Sequence, residues 1–256
     1  MDLIITPVWS GPSVINIGSQ IALGLLIAFF ESGKFNTPYS KFSKGGTINM
    51  RLAAILVYFS PIVAYTASYI QASSPKSPYH VALLAGFTLH FGKRCLESLF
   101  LHKFSRRVGL PVIAVVGFAY TSVAVLAGQL HNAKVPEVYG YAFGPSLLLA
   151  GAAVMFFGEL LNFYHHYLLA KLRRGQEREY RVPQGGLFRY VACPHYLAEI
   201  VAWFGYALMS RHLEMYGVVF IFTCYLAARS RKTSQWYQKN VPGYPADRRS
   251  LVPYLF

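Results

Sequence analysis

Seven predominantly apolar stretches, 13–31, 52–71, 80–101, 109–128, 144–170, 195–210 and 214–230, account for most of the 256-residue chain. About 20 apolar residues in a helix span the hydrocarbon core of a bilayer, and a soluble helix of that length would need a polar face. The pattern predicts an all-α, polytopic membrane protein with seven transmembrane helices. Composition agrees: 54% of residues are apolar and only 13% charged, about half the charged share of a soluble domain. The stretch 195–210 is short, so the last two segments can also be read as one re-entrant pair. The first stretch lacks the basic flank and small-residue cleavage site of a signal peptide, which makes it an uncleaved span.

The net charge of +14 raises the question of nucleic acid. A nucleic-acid-binding protein spreads its Lys and Arg over a soluble face. Here they punctuate the apolar runs, and no nucleic-acid partner is expected. Of the 24 Lys and Arg residues, 19 lie in 32–51, 102–108, 171–194 and the tail after 228, and the opposite loops hold only Lys76, Lys134 and Arg211. By the positive-inside rule the basic loops and the C-terminus are cytosolic. The three cysteines, Cys95, Cys193 and Cys224, form neither a zinc spacing nor a disulfide framework.

Ionisable residues inside a span are costly, and they mark a site or an internal pairing. On the third span His90, Arg94 and Glu97 fall on one face, as either a functional cluster or a salt bridge that permits insertion. The fifth span carries Glu159, Asn162 and His166 on one face, continued by Arg173 at its basic end. The sixth opens Cys193-Pro194-His195-Tyr196-Leu197-Ala198-Glu199, with Pro194 suited to a first helical turn and His195 and Glu199 one turn apart. Ahead of it runs Tyr180-Arg181-Val182-Pro183-Gln184-Gly185-Gly186-Leu187-Phe188, whose glycine pair allows close backbone approach. Together these predict a polar cavity with a basic cytosolic mouth, suited to a ligand with phosphates at one end and an apolar partner drawn from the bilayer.

The stretch from Glu159 to the C-terminus resembles the steroid 5-alpha-reductase family. The resemblance lies in Asn162 and the histidines after it, in 180–188 and 193–199, in Trp236-Tyr237, and in the ending Tyr-Pro-Ala-Asp-Arg-Arg-Ser-Leu-Val-Pro-Tyr-Leu-Phe over 244–256. The stretch 90–105 is more similar to the very-long-chain trans-2-enoyl-CoA reductases of the same superfamily, and the first 50 residues match little. The resemblance implies an endoplasmic-reticulum enzyme that uses NADPH to reduce a carbon–carbon double bond conjugated to a carbonyl in a lipid. It also implies a division into N-terminal helices on the substrate side (1–143) and a cofactor-binding C-terminal part (144–256). No Gly-x-Gly-x-x-Gly occurs, so the dinucleotide must be held by helix faces and basic loops. Asn162, Arg173, Tyr180, His195, Glu199, Arg229 and Tyr237 match family positions that hold the cofactor. His166 stands where the steroid reductases have Asp, and Thr233 where they have His.

The family is described as polarising the substrate ketone with a third-helix Tyr paired to a second-helix Glu. Phe91 stands at the Tyr position, and the second span, with Leu56-Val57-Tyr58-Phe59-Ser60-Pro61, has no carboxylate. The acid must come from elsewhere, and Tyr58 and His90 are the leading candidates, with Tyr164 behind them. Alternatives are an S-adenosylmethionine-dependent membrane methyltransferase of the isoprenylcysteine type and a non-catalytic relative. Against the methyltransferase, Arg229-Ser230-Arg231-Lys232-Thr233 stands where those enzymes carry a Glu pair. Eight scattered histidines are too few for a clustered di-iron site.

Overall fold

The computed structural model describes residues 4–33, 37, 38, 42, 45–73, 76–104, 107–132, 145–172 and 180–256. Among them are seven α-helices: α1 Gly11–Ser32, α2 Met50–Gln71, α3 Pro78–Leu96, α4 Leu110–Asn132, α5 Pro145–Leu172, α6 Pro194–Ser210 and α7 Leu213–Asn240. A π-helical turn, Glu97–Leu101, prolongs α3, and two-residue strands β1 (Ile48–Asn49) and β2 (Arg107–Val108) pair antiparallel. The described residues are therefore mostly helical, and each apolar stretch of the sequence overlaps one helix and begins within two residues of its start. Five of the seven, α1, α2, α4, α5 and α7, are long and apolar enough to cross a bilayer. The 17-residue α6 and the charge-bearing α3 fall outside that criterion.

The helix boundaries follow local chemistry. Ser10 and Ser13 form a reciprocal capping box at the start of α1, and the Asn49 side chain accepts the first free N–H groups of α2. Proline occupies the first turn of α1 and of α3, where its missing donor costs nothing. Pro61 lies inside α2 and removes the N–H that would meet the Val57 carbonyl. The Ser60 hydroxyl approaches that carbonyl at 3.4 Å, and Thr121 on α4 stands 3.0 Å from the same hydroxyl.

The residues fall into two compact units, one comprising residues 1–5, 37–153 and 206–215 and the other 6–36, 154–205 and 216–256. In the first, α2 buries Met50, Ala53, Ala54, Val57, Tyr58, Pro61 and Tyr65, a stripe at helical spacing that packs on α3 and α4. Its far end is organised by His131, fully buried, whose Nδ1 lies 2.8 Å from the Tyr65 hydroxyl and whose Nε2 lies 2.7 Å from Ser210 Oγ. Tyr79 donates to the Ser210 carbonyl at 2.7 Å. The α6–α7 turn passes through Arg211 at φ 64°, and is pinned by Ile5, which donates to the Arg211 carbonyl and accepts from Leu213 N. In the second unit α1 and α7 meet closely: a side chain at Gly24 would strike Phe220, and one at Gly217 would strike Gln20.

In the α6–α7 turn, burial pushes the His212 imidazole down to about 4 from its ordinary 6.5. The unfolded chain therefore binds the extra proton between those values, and stability contributed by the neutral ring is complete above pH 6.5 and lost as pH falls towards 4. Thermal unfolding of the detergent-solubilised protein should show a loss of about 2 kcal/mol between pH 7 and pH 5. His212→Phe should remove most of that slope; an unchanged slope would assign the acid sensitivity to other groups.

Candidate functional site

The lower half of α5 is organised opposite to a soluble helix. Its outward residues are Phe156, Phe157, Leu160, Phe163, Tyr164 and Tyr167, and its buried residues are Glu159, Asn162, His165 and His166. In an apolar surrounding the polar stripe must turn inward, where partners can be supplied. Asn162 is 1% exposed and donates through Nδ2 to the His195 carbonyl at 2.8 Å and, more weakly, to Glu199 Oε2 at 3.5 Å. The His166 ring lies 5.3 Å from that of His195. One amide thus ties α5 to the first turn of α6 and brings Asn162, His166, His195 and Glu199 together. Close approach is possible because position 158 is glycine: a Cβ there would stand 2.4 Å from Ala202 N.

His165 has a different task, one that the sequence did not assign it. Its Nδ1 donates to the Leu161 carbonyl at 2.7 Å, so Nε2 is the acceptor, and it takes the Leu187 N–H at 3.1 Å. The ring therefore fastens the glycine loop to α5. Gly186 sits at φ 51°, and a Cβ on it would come within 2.8 Å of both His165 Nε2 and the Tyr164 ring. Only glycine fits there. The C-terminal segment clamps the same loop from the other side, with Ala192 N donating to Arg249 O, Cys193 N to Ser250 O, and Arg248 Nη1 to the Pro183 carbonyl at 2.8 Å.

On α7 the helix outlasts its apolar run and continues to Asn240. Arg229, Thr233 and Tyr237, spaced by four, lie on one face with Ser230 and Ser234, and all five are buried. Tyr237 stacks on Tyr244 at 5.1 Å, and Tyr180 meets Trp236 edge-on at 4.6 Å. Arg229 Nη1 bonds Glu31 Oε1 of α1 at 2.5 Å, with both side chains at least 96% buried. The sequence offered a signal for this pair, since Glu31 is the sole carboxylate in the first apolar run. Arg173 lies outside the described residues. Tyr58 and His90 belong to the other compact unit: Tyr58 is buried beside Arg94, and His90 is buried edge-on against the Phe91 ring at 4.9 Å.

The buried polar atoms of the second unit without a hydrogen-bond partner among the described residues include Thr233 Oγ1 and Arg248 Nε, the latter guanidinium lying against the Tyr244 ring. Burying such a group unpaired costs about 1–3 kcal/mol. Burial also holds the Tyr244 phenol above its ordinary pKa, so it stays a neutral donor. A hydroxyl, a phenol and a guanidinium N–H offered together fit an oxygen-rich anionic ligand, as the polar end of a dinucleotide is. Tyr244 and Arg248 were not singled out from the sequence, although both lie within the ending that carries the family resemblance.

Comparison with known proteins places this architecture among relatives. The family model for 3-oxo-5-alpha-steroid 4-dehydrogenase matches residues 110–256. The chain is 30% identical over 194 residues to human 3-oxo-5-alpha-steroid 4-dehydrogenase 1, covering 73% of each chain. It is 34% identical over 178 residues to the mouse protein of the same name, covering 68% of each. Against 3-oxo-5-alpha-steroid 4-dehydrogenase 2 of Macaca fascicularis the identity is 28% over 263 residues, covering 96% of this chain and 97% of that one. The last alignment extends the similarity into the first 50 residues, where the sequence reading expected little.

The buried Glu31–Arg229 pair makes a quantitative prediction. Removing one partner strands the other charge, and Arg229→Met or Glu31→Met alone should destabilise by about 3–5 kcal/mol. The double replacement should cost far less than the sum, because no charge is stranded. Thermal unfolding of the four proteins measures the coupling; additive losses would show that the pair does not act as a unit.

Proposed function

The chain belongs to the 3-oxo-5-alpha-steroid 4-dehydrogenase family, and from that membership we propose that it is an NADPH-dependent membrane reductase. Its reaction saturates a carbon–carbon double bond conjugated to a carbonyl in an apolar lipid. A 3-oxo-delta-4-steroid is the first substrate to test, because the relatives are named for that chemistry, and a long-chain 2-enoyl-CoA is the second. The observation that carries the reading is the buried polar face of α7, with its unpartnered Thr233 hydroxyl. A purely structural helix has no use for an orphaned donor there.

In this reading Asn162, His166, His195 and Glu199 hold the nicotinamide and ribose hydroxyls. Arg173, Tyr180, Arg229, Thr233 and Tyr237, joined by Tyr244 and Arg248, hold the phosphate-bearing end. NADPH, when bound, supplies the hydride. The residues of the chain then have two tasks, to fix the dinucleotide without a Rossmann fold and to meet the negative charge that develops on the carbonyl oxygen. The N-terminal helices, within 1–143, contribute the substrate side, and Tyr58 and His90 are the acids available there. The protein is a multi-pass resident of the endoplasmic-reticulum membrane with its C-terminus in the cytosol, where NADPH is encountered.

Purified protein in nanodiscs should oxidise NADPH only when an apolar enone or enoyl thioester is added. Failure with both substrate panels, with NADPH binding also absent, would overturn the assignment. Thr233→Val gives a second, sharper test. Loss of a hydroxyl that serves the cofactor should weaken NADPH binding by about fivefold, roughly one neutral hydrogen bond. Thermal stability without cofactor should stay level or rise, because a buried unpaired donor is gone. Unchanged affinity would remove Thr233 from the site.

A further inference from the structure

Residues 251–256 of the second unit form a tight turn that faces its largest side chains outward. Leu251 N and Val252 N both donate to the main-chain oxygen of Phe256, at 2.7 and 2.8 Å, and Leu255 N donates to Val252 O at 3.2 Å. Leu251 is buried and fastens the turn, whereas Tyr254 is 76% and Leu255 82% exposed, and Phe256 is exposed beside them. Tyr254 takes φ 66°, a left-handed conformation that costs a bulky residue backbone energy. The turn therefore spends backbone stability to display three adjacent apolar side chains. In water that display gains nothing, and it calls for an occupant.

The height of the turn follows from the helices it is tied to. Helices α6 and α7 are joined by two residues, and Trp203 meets Phe222 at 5.0 Å, so the two run antiparallel. The start of α6 thus lies level with the part of α7 around 229–231, where the apolar run of that helix ends. In a bilayer, hydrocarbon gives way to headgroups at such a level. The turn is bound to the residues that lead into α6: Arg249 N donates to Tyr190 O at 3.0 Å, Ala192 N to Arg249 O, and Cys193 N to Ser250 O. The Tyr190 and Tyr254 rings lie 5.6 Å apart, and the Arg189 guanidinium stands 5.8 Å from the Tyr190 ring.

This composition suits one partner. Tyrosine is enriched where hydrocarbon meets headgroups, with the ring in the apolar layer and the hydroxyl in the wet one. Arg189 and Arg249 are both exposed, and the stretch 244–256 holds one acid, Asp247. Guanidinium groups donate in pairs to phosphate oxygens and are drawn to the negative surface of an anionic leaflet. A second copy of the chain fits less well, because a two-fold contact would bring the same arginines of both copies together.

We propose that the turn 251–256 is a membrane foot. Tyr254, Leu255 and Phe256 lie in the interfacial layer of an anionic leaflet, and Arg189 and Arg249 meet lipid phosphates. The segment that enters α6 is thereby held at the bilayer surface. The inference rests on the bilayer setting of the long apolar helices and not on the reductase reading, since none of these five residues is assigned to the cofactor.

The experiment uses the full chain in nanodiscs of phosphatidylcholine, with and without phosphatidylserine. Leu255→Trp places an indole at the tip, and its emission above that of native protein is read with lipids brominated high on the acyl chain. Bromine should quench at least half of that added emission. Hydrogen exchange over 187–193 gives a second reading: phosphatidylserine should slow it by about tenfold in native protein, as two basic contacts to an anionic surface allow. Replacing both arginines, Arg189→Gln with Arg249→Gln, should remove that lipid dependence. Unquenched emission overturns the proposal, and cross-linking between the tips of Leu255→Cys protein would then name a second copy as the occupant. Exchange that is equal in both lipids, or still lipid-dependent in the double variant, also overturns it. Should Leu255→Trp fail to fold, exchange in the native protein decides.

Discussion

An apolar surrounding supplies no hydrogen-bond partner, so each polar atom placed inside these helices must be met by another part of the chain. That constraint explains the packing more completely than hydrophobic burial does. Helix α5 turns phenylalanines outward and Glu159, Asn162, His165 and His166 inward. Arg229 is neutralised by Glu31, Arg94 by Glu97, and His131 is bonded at both ring nitrogens. Each pairing costs several kcal/mol of desolvation and returns most of it only while the geometry holds. The network therefore favours one arrangement of the helices within each unit over its neighbours.

The same rule makes exceptions informative. Thr233 Oγ1 and Arg248 Nε, both among the buried atoms without a partner among the described residues, read as donors kept for something else. Pre-formed donors cost stability in the empty protein and reduce the reorganisation needed when a ligand arrives. A dinucleotide site built this way needs no glycine-rich phosphate loop. It needs helix faces whose polar residues are already oriented, and the His165 and C-terminal clamps on the 180–193 loop supply that rigidity.

Helix positions were legible in the sequence because their signal is local. A run such as 13–31 becomes Gly11–Ser32, and 214–230 becomes the start of Leu213–Asn240. The second case shows the limit: beyond residue 230 hydropathy collapses, yet Arg, Lys and Gln are good helix formers and Ser230, Thr233 and Ser234 are buried, so the helix continues for ten more residues to Asn240. The face shared by Glu159, Asn162 and His166 was equally readable from spacing. What spacing cannot show is which distant group answers a buried charge. Glu31 and Arg229 are 198 residues apart, and Tyr58 and Arg94 are 36 apart on separate helices. Both pairs needed the fold.

Local irregularity on α2 and α3 falls beside that second pair. Pro61 frees the Val57 carbonyl one residue before Tyr58, and Ser60 with Thr121 restores its partner. On α3 the regular helix gives way to a π turn that begins at Glu97, three residues after Arg94. Backbone of this kind survives inside apolar helices only where side chains make good the lost bonds, and π turns recur where a side chain must be aimed. Two helices that break regularity next to the same phenol–guanidinium–carboxylate contact have given up backbone stability at the place where that contact is made. A contact serving only insertion would not require it, since Arg94 and Glu97, three residues apart, can already pair along an unbroken helix. The distortions are therefore better accounted for by the need to bring Tyr58 to Arg94 than by the need to neutralise Arg94.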